Sequence, residues 1–480
     1  MKEKSLKKNT VFNFLKAIAS LIFPFITFPY VSRVLGVEKI GQVNFANNLV
    51  NYFVLISGLG ISNYAIREGV KYRDDKRLIS QFSMEMIIIN LLSTLISYIL
   101  LFIVISIPSL ADYRMLMLLF STMLIFNIVG INWLFNIFEE FGYITFRTII
   151  MQIVSLVLLL FLVRGKEDYL KYTLVLVISS VGANIFNISY ARKFISYKTY
   201  KKPELLKHLK PILIIFAMSV ASNIYLNIDT TMLGFMLGDY EVGIYTAGSK
   251  INKIIVNLLS SVLVVFLPRL SYYVKLGKKD EFTSMVDKAL NYILGLTIPA
   301  CIGFVLLSKE IILLFSGSEF TDAIPVLMIK APNIIFSVLN GFIAIQLFMP
   351  LGKEKISLYA TLCGALLNVF FNVLLIPEFG AVGSSVATIV AEGVVMIVCV
   401  CTLRKDYTFD RLKSETGKYI VASVCMVPVG MLFKHTGMGL FGRTVSTVFF
   451  DGIIYVLVLY VMKAEIIIEN LSLIRNKLKT

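Results

Sequence analysis

Residues Ile153–Val163 read IVSLVLLLFLV, apolar on every side but for Ser155. A membrane barrel strand alternates polar and apolar residues over about 10 positions, which this stretch does not do. Lipid offers the backbone no hydrogen-bond partner, so a segment of this kind crosses as a helix. Apolar runs of about 20 residues recur from one end of the chain to the other, each long enough for a hydrocarbon core of about 30 Å. Composition agrees. The 480 residues are 57% hydrophobic and 16% charged, against about 45–50% and about 25% in soluble domains. The fold class is therefore an all-α polytopic membrane protein.

Fourteen spans are predicted, at 11–32, 41–62, 81–107, 115–135, 145–163, 171–190, 211–237, 243–267, 289–308, 326–349, 356–376, 382–403, 418–436 and 443–462. Lys2, Lys4, Lys7 and Lys8 resemble the basic start of a signal peptide. The apolar stretch after them is too long, carries Pro24 and Pro29 and lacks a small-residue cleavage site, so it reads as the first span. With the N-terminus inside, 33 lysines and arginines fall on the cytoplasmic side, 9 outside and 4 within spans, span-edge residues being counted with the loops. Basic residues favour the cytoplasmic side, so both termini are expected in the cytoplasm. The net charge of +16 is accounted for by these short loops and calls for no nucleic acid.

The richest inner loop is 191–210, with seven lysines and arginines. It suggests a division into 1–195 (spans one to six), 196–410 (spans seven to twelve) and 411–480 (two extra spans and a basic tail). A weak internal repeat supports two halves. Leu35, Gly36 and Gly41 recur as Leu237, Gly238 and Gly243, at a constant offset of 202 residues. Six spans per half gives both halves the same orientation in the membrane.

The second span carries Asn44, Asn47, Asn48 and Asn51, the i, i+3, i+4, i+7 spacing of one helix face. The same offset leads to Thr246, Ser249, Lys250 and Lys253, a stripe that turns cationic. Polar stripes within spans face protein or a water-filled cavity. Interhelical hydrogen bonding, worth about 0.6 kcal/mol per contact, is the competing reading. Asp229 lies at a depth similar to Lys250 and is expected to pair with it or to carry a coupling ion. Lys16, five residues into the first span, either snorkels to the interface or faces a cavity. Arg33 is placed at a cavity mouth or among lipid headgroups. Lys330 is expected to reach the outer interface. Glu392 lies near mid-membrane and requires a partner. Glu85 is close to the inner surface and carries no signal, and the only two histidines, His208 and His435, are placed in a basic loop and near an outer turn.

Catalytic signatures are missing. There is no phosphate-binding loop; the GK pair of Leu351–Lys355 lacks the earlier glycine and the following serine or threonine. No histidine, cysteine or carboxylate set has catalytic or metal-ligand spacing. All five cysteines fall inside predicted spans. No cofactor, no metal and no enzymatic activity are expected.

The stretch FPFITFPYVSRVLGVEKIGQVNFANNLVNYF (Phe23–Phe53) resembles the opening of bacterial oligosaccharide flippases of the Wzx type. Ile66–Lys76, Ile131–Arg147, Asp229–Ile255, Phe266–Tyr273, Leu307–Gly317 and Ile376–Thr388 are similar to other segments of that family, so the resemblance covers nearly the whole chain. It implies a fold shared with multidrug extruders and the lipid II flippase: two six-helix lobes around a central cavity plus two C-terminal helices. It also implies a cargo, undecaprenyl-pyrophosphate-linked oligosaccharide units moved from the inner to the outer leaflet of the bacterial cytoplasmic membrane for capsule or O-antigen synthesis. Polysaccharide polymerase and glycosyltransferases would be partners, alongside membrane lipids. On this resemblance Lys250, Lys253 and Lys16 would meet the pyrophosphate.

Three other readings stay open. Teichoic-acid units or lipid II are chemically related cargoes. A cation-coupled drug exporter of the same superfamily would favour acidic groups in the N-terminal half, where the first span instead carries Lys16. A non-transporting membrane scaffold would leave the polar stripes without a use.

Overall fold

The computed structural model describes residues 6–197, 202–263, 265–404, 407, 410–434 and 436–468. Among them every regular element is a helix. By contacts the chain forms two compact units: residues up to Gly234 with Gly238–Gly243, and Phe235–Leu237 with Ile244 onward.

The first unit holds α1 (Leu6–Gly58), α2 (Ile61–Gly69), α3 (Lys76–Ile105), α4 (Arg114–Ile128), α5 (Asn132–Ile137), α6 (Phe141–Leu162), α7 (Tyr169–Val181), α8 (Asn187–Ala191) and most of α9 (Leu205–Met236). At 1.5 Å per residue α1 would be about 80 Å long, far beyond one membrane crossing. It is two helices joined at Gly36, whose φ of 75° and ψ of 179° break the helical path. The first of these runs parallel to α6. Thr145 Oγ1 donates to the Phe12 carbonyl at 3.0 Å and Tyr30 OH to the Val163 carbonyl at 2.7 Å, both across 133 residues. The second packs on α3, where the Ser57 carbonyl accepts from Asn90 Nδ2 at 2.8 Å and Ser93 Oγ at 2.6 Å. The opposite face of α3 leaves Leu91, Leu95, Ile99 and Ile103 exposed. An apolar outer face of this kind suits lipid rather than water. Asp75 caps α3 by accepting from Arg77 N at 2.7 Å and Leu78 N at 3.2 Å.

The second unit holds α10 (Asp239–Leu263) from Ile244 on, α11 (Phe266–Lys275), α12 (Lys279–Leu306), α13 (Ser308–Phe315), α14 (Ala323–Lys330), α15 (Asn333–Gly341), α16 (Glu354–Leu403), α17 (Asp410–Val424), α18 (Met426–Lys434) and α19 (Leu440–Val461). A π-helical segment, Phe342–Phe348, extends α15. α16 is again two helices, joined at Gly380 (φ 53°, ψ −132°). Tyr455 OH donates to the Gly295 carbonyl at 2.6 Å, tying α19 to α12. Residues 309–325 run through α13, a short 3-10 turn and the first residues of α14, with Ile312, Phe315 and Phe320 buried.

Ten described helices are long and apolar enough to cross a membrane, and two bent pairs, α10 with α11 and α14 with α15, bring the number to twelve. α1 and α16 are each broken into two arms, at Gly36 and Gly380, and counting every arm as a crossing would give the expected fourteen. His435 lies outside the described residues.

Candidate functional site

The asparagine face of α1 does two things in the first unit. Asn48 is buried, and its Nδ2 donates to the Asn227 carbonyl at 3.1 Å and Thr231 Oγ1 at 2.8 Å, both on α9. Tyr52 OH shares a hydrogen bond with the same Thr231 hydroxyl at 2.8 Å. Asn44 turns back on its own helix, Nδ2 donating to the Ile40 carbonyl at 2.7 Å. Asn51 Nδ2 donates to Asn47 Oδ1 at 3.4 Å, and both are half-buried. Asn51 opens with Asn223, Asn227, Ser219, Ser62 and Asn63 onto a cavity of about 350 Å³. Its wall is completed by Val54, Leu55, Gly58 and Gly60. Amides and hydroxyls over a small apolar floor can donate to and accept from a neutral polyol without demanding a charge. The expected stripe thus divides into a helix–helix contact at Asn48 and a cavity wall at Asn51.

Cations in this unit sit apart from that cavity wall. Lys16 is half-buried, and Arg33 is exposed, with Nη1 donating to the Pro29 carbonyl at 2.6 Å. Arg147, on α6, was not singled out by sequence. It is buried, donates to the Ala183 carbonyl at 3.0 Å and to the amide oxygens of Asn132, Asn184 and Asn187, and lies over the Tyr143 ring at 5.3 Å. No carboxylate among the described residues pairs with it. Register explains its place near Lys16. The 133-residue offset sets Lys16 beside residue 149, and the two cations feel each other's charge.

In the second unit α10 carries the cationic stripe. Lys253 is exposed and Lys250 half-buried, close enough to repel one another. Ser249 is buried and accepts from Lys330 Nζ at 3.0 Å; Thr246 is half-buried beside it. Lys330 departs from expectation. It does not reach an interface but is buried at 4% exposure, donating to Tyr245 OH at 2.6 Å, with Nζ 4.1 Å from the Tyr245 ring centre. The reason is the break after α14: Ala331 and Pro332 bend the path by 45° and turn the last residue of α14 onto α10. Asn252 Nδ2 secures the bend by donating to the Lys330 carbonyl at 2.7 Å. Glu392 gains a named partner, Asn340, whose Nδ2 donates to Oε2 at 2.7 Å. Asp229 is buried in the first unit.

His208 and Glu85 also differ from expectation. α9 begins at Leu205, so His208 is helical rather than in a loop, and both residues are buried at 3% exposure in direct contact. No group of three or more potential metal ligands occurs among the described residues.

Kinked apolar helices, a polar cavity and buried cations make this a polytopic helical membrane protein. The profile of the family described as "Polysaccharide biosynthesis protein" matches residues 6–274, more than half of the chain, which therefore belongs to that family. A second profile, MatE, matches residues 211–374. Two bacterial proteins described as "Putative O-antigen transporter" are similar to it. The one from Shigella dysenteriae is 24% identical over 404 residues, 82% of this chain and 98% of that protein. The one from Escherichia coli is 22% identical over 84% of this chain and 97% of that protein. Among solved structures, the lipid II flippase MurJ in its inward closed conformation superposes with a TM-score of 0.77 at 16% identity, over 96% of this chain and 99% of that one. That likeness is one of fold.

Proposed function

We propose that this chain is a flippase that moves an undecaprenyl-pyrophosphate-linked oligosaccharide from the inner to the outer leaflet of a bacterial cytoplasmic membrane, by alternating access, for surface polysaccharide assembly. The observation that carries this reading is the cationic set on α10 and α14. Lys250 and Lys253 share a helix face, and Lys330 is buried against the same helix on hydroxyl partners. Intramembrane ammonium groups mark ion and substrate paths, and a pyrophosphate is the charged part of such a cargo. The amide-lined cavity of the first unit suits the sugar hydroxyls. Lys16 adds a cation on the first span, and Arg33 is assigned to a cavity mouth. The repeat supports two functional halves, 1–195 and 196–410, followed by 411–480, with both termini in the cytoplasm. An inside-negative potential favours outward movement of an anion by about 2.3 kcal/mol per charge per 100 mV. Asp229 and Glu392 are the candidate carriers if a cation is counter-transported. Glycosyltransferases supply the lipid-linked unit and a polymerase consumes it.

The test is flipping of a fluorescent undecaprenyl-pyrophosphate oligosaccharide in vesicles containing the purified chain. Lys250→Ala/Lys253→Ala should lose flipping while keeping its elution profile and melting temperature. Full flipping by that variant overturns the role of the cations. Lipid II or a teichoic-acid unit moved faster than the oligosaccharide would reassign the cargo, and cation-driven export of a drug dye in place of the lipid would move the chain to the exporter class favoured by the MatE match.

A further inference from the structure

Glu85 on α3, His208 in the first turns of α9 and Tyr64 on α2 are all at least 95% buried. His208 Nε2 lies 2.9 Å from Glu85 Oε2, and the Tyr64 hydroxyl lies 2.7 Å from His208 Nδ1. The second carboxylate oxygen accepts from Gln81 Nε2 at 3.0 Å and from the Glu204 backbone N–H at 3.1 Å. The Phe82 ring, 5.6 Å from the imidazole, closes the apolar side.

We infer that Glu85 and His208 form a proton-binding site, and that the proton held there clamps the start of α9 to α2 and α3. Two bonding patterns fill the same geometry. With a neutral imidazole, Tyr64 OH donates to Nδ1 and Nε2–H donates to Glu85. With an imidazolium, Nδ1–H donates to the Tyr64 oxygen and Nε2–H still donates to Glu85. One proton can therefore enter or leave with no heavy atom moved; only the hydroxyl reorients. The carboxylate, with three donors around it, is an acceptor in both states, so the proton that comes and goes is the imidazole's. Imidazole is the side chain that exchanges a proton near neutral pH. Protonation changes the buried pair from a net negative charge to a neutral ion pair and makes its hydrogen bond charge-assisted at both ends. Lys207 on α9 faces Glu85, with Tyr72, Arg67 and Glu68 around Tyr64; Lys207 is itself held by Glu204 at 3.0 Å. A second bond anchors the preceding segment, Ser196 N donating to Ser80 Oγ at 2.9 Å. The bond that changes strength with the proton is thus the one holding the helix start. The site does not depend on the cargo proposed above.

The chain has only two histidines, so ¹⁵N-histidine labelling of the full-length His435→Gln protein in nanodiscs reports on His208 alone. Its ring nitrogens should pass from the neutral pattern, Nε2 protonated and Nδ1 accepting, to charged imidazole shifts on acidification. Amide hydrogen exchange over 205–210, corrected for intrinsic rates, should slow as the proton binds. Glu85→Gln removes the carboxylate that accepts from the imidazolium as an ion pair, so exchange over 205–210 should no longer slow on acidification. Ring resonances that do not move on acidification overturn the site, and a transition with no change in protection overturns the clamp. Both measurements on the chain with Glu85 intact stand even where the glutamine variant fails to fold.

Discussion

Gly41 and Gly243, equivalent positions of the internal repeat, lie against each other in the first unit. A methyl group on Gly41 would stand 1.8 Å from the Asp239 carbonyl oxygen and 2.9 Å from the Gly243 nitrogen. One on Gly243 would stand 2.3 Å from the Val37 carbonyl oxygen. The obstacles are backbone atoms, which cannot swing away as a side chain can. Gly41→Ala and Gly243→Ala should each destabilise the chain by about 1–3 kcal/mol through overpacking. Gly238→Ala is the control. Its φ of +90° strains an alanine but nothing lies within 4 Å of the added carbon, so it should cost about 1 kcal/mol. Thermal melts in detergent rank the three.

Arg147 is the second stability prediction. It holds α5, α6 and α8 together through the amide oxygens of Asn132 and Asn187, with the Ala183 carbonyl between them. Arg147→Leu would orphan two buried acceptors, the Ala183 carbonyl and Asn187, at about 1–3 kcal/mol each, and leave the half-buried Asn132 without its partner. Lysine keeps the charge but cannot fork to several acceptors, so Arg147→Lys should recover less than half of that loss. Melting temperature and monodispersity on size exclusion measure both.

Local geometry was legible in the sequence where sterics or periodicity acts over a few residues. Gly36 and Gly238 announce turns, and the spacing of Asn44, Asn47, Asn48 and Asn51 announces a face. Partnerships across the fold were not legible. Asn48 and Thr231 are 183 residues apart, and Glu85 and His208 are 123 apart. His208 was misplaced because α9 starts six residues before the predicted span, which draws a basic stretch into a helix. Lys330 was misplaced because depth counted from a span end fails where the span is bent, as it is at Ala331–Pro332. Arg147 left a trace, a lone arginine in an apolar run. Its neutral partners lie up to 40 residues away, so nothing in the sequence said what it binds.

Lys330 yields a transport prediction. Its ammonium is held by Tyr245 and Ser249, and one charge-assisted bond is worth about 1.5–3 kcal/mol. Lys330→Met keeps the length of the side chain and removes the charge, and it should lower flipping about tenfold or more at an unchanged melting temperature to within a few degrees. Tyr245→Phe leaves the cation in place and removes one partner, so its effect should be smaller. Equal flipping by wild type and Lys330→Met in vesicles would reduce Lys330 to a helix fastener.

Topology is the last prediction, and it turns on the two glycine-broken helices. If α1 and α16 each cross twice, with the break at Gly36 and Gly380, fourteen spans result and both termini share the cytoplasm. All five cysteines are free thiols, so a chain with each replaced by alanine can carry single reporters at exposed sites. Lys166→Cys and Lys309→Cys should react with an impermeant maleimide in intact cells. Lys71→Cys, Lys355→Cys and Lys463→Cys should react only after permeabilisation. The pattern separates the alternatives. Were α1 a single crossing, Lys71 would label from outside and Lys166 would not. Were α16 a single crossing, Lys355 would stay protected while Lys463 became accessible. A break at Gly36 that fails to turn the chain back inverts all five reporters, whereas one at Gly380 inverts Lys463 alone, so the two failures are told apart.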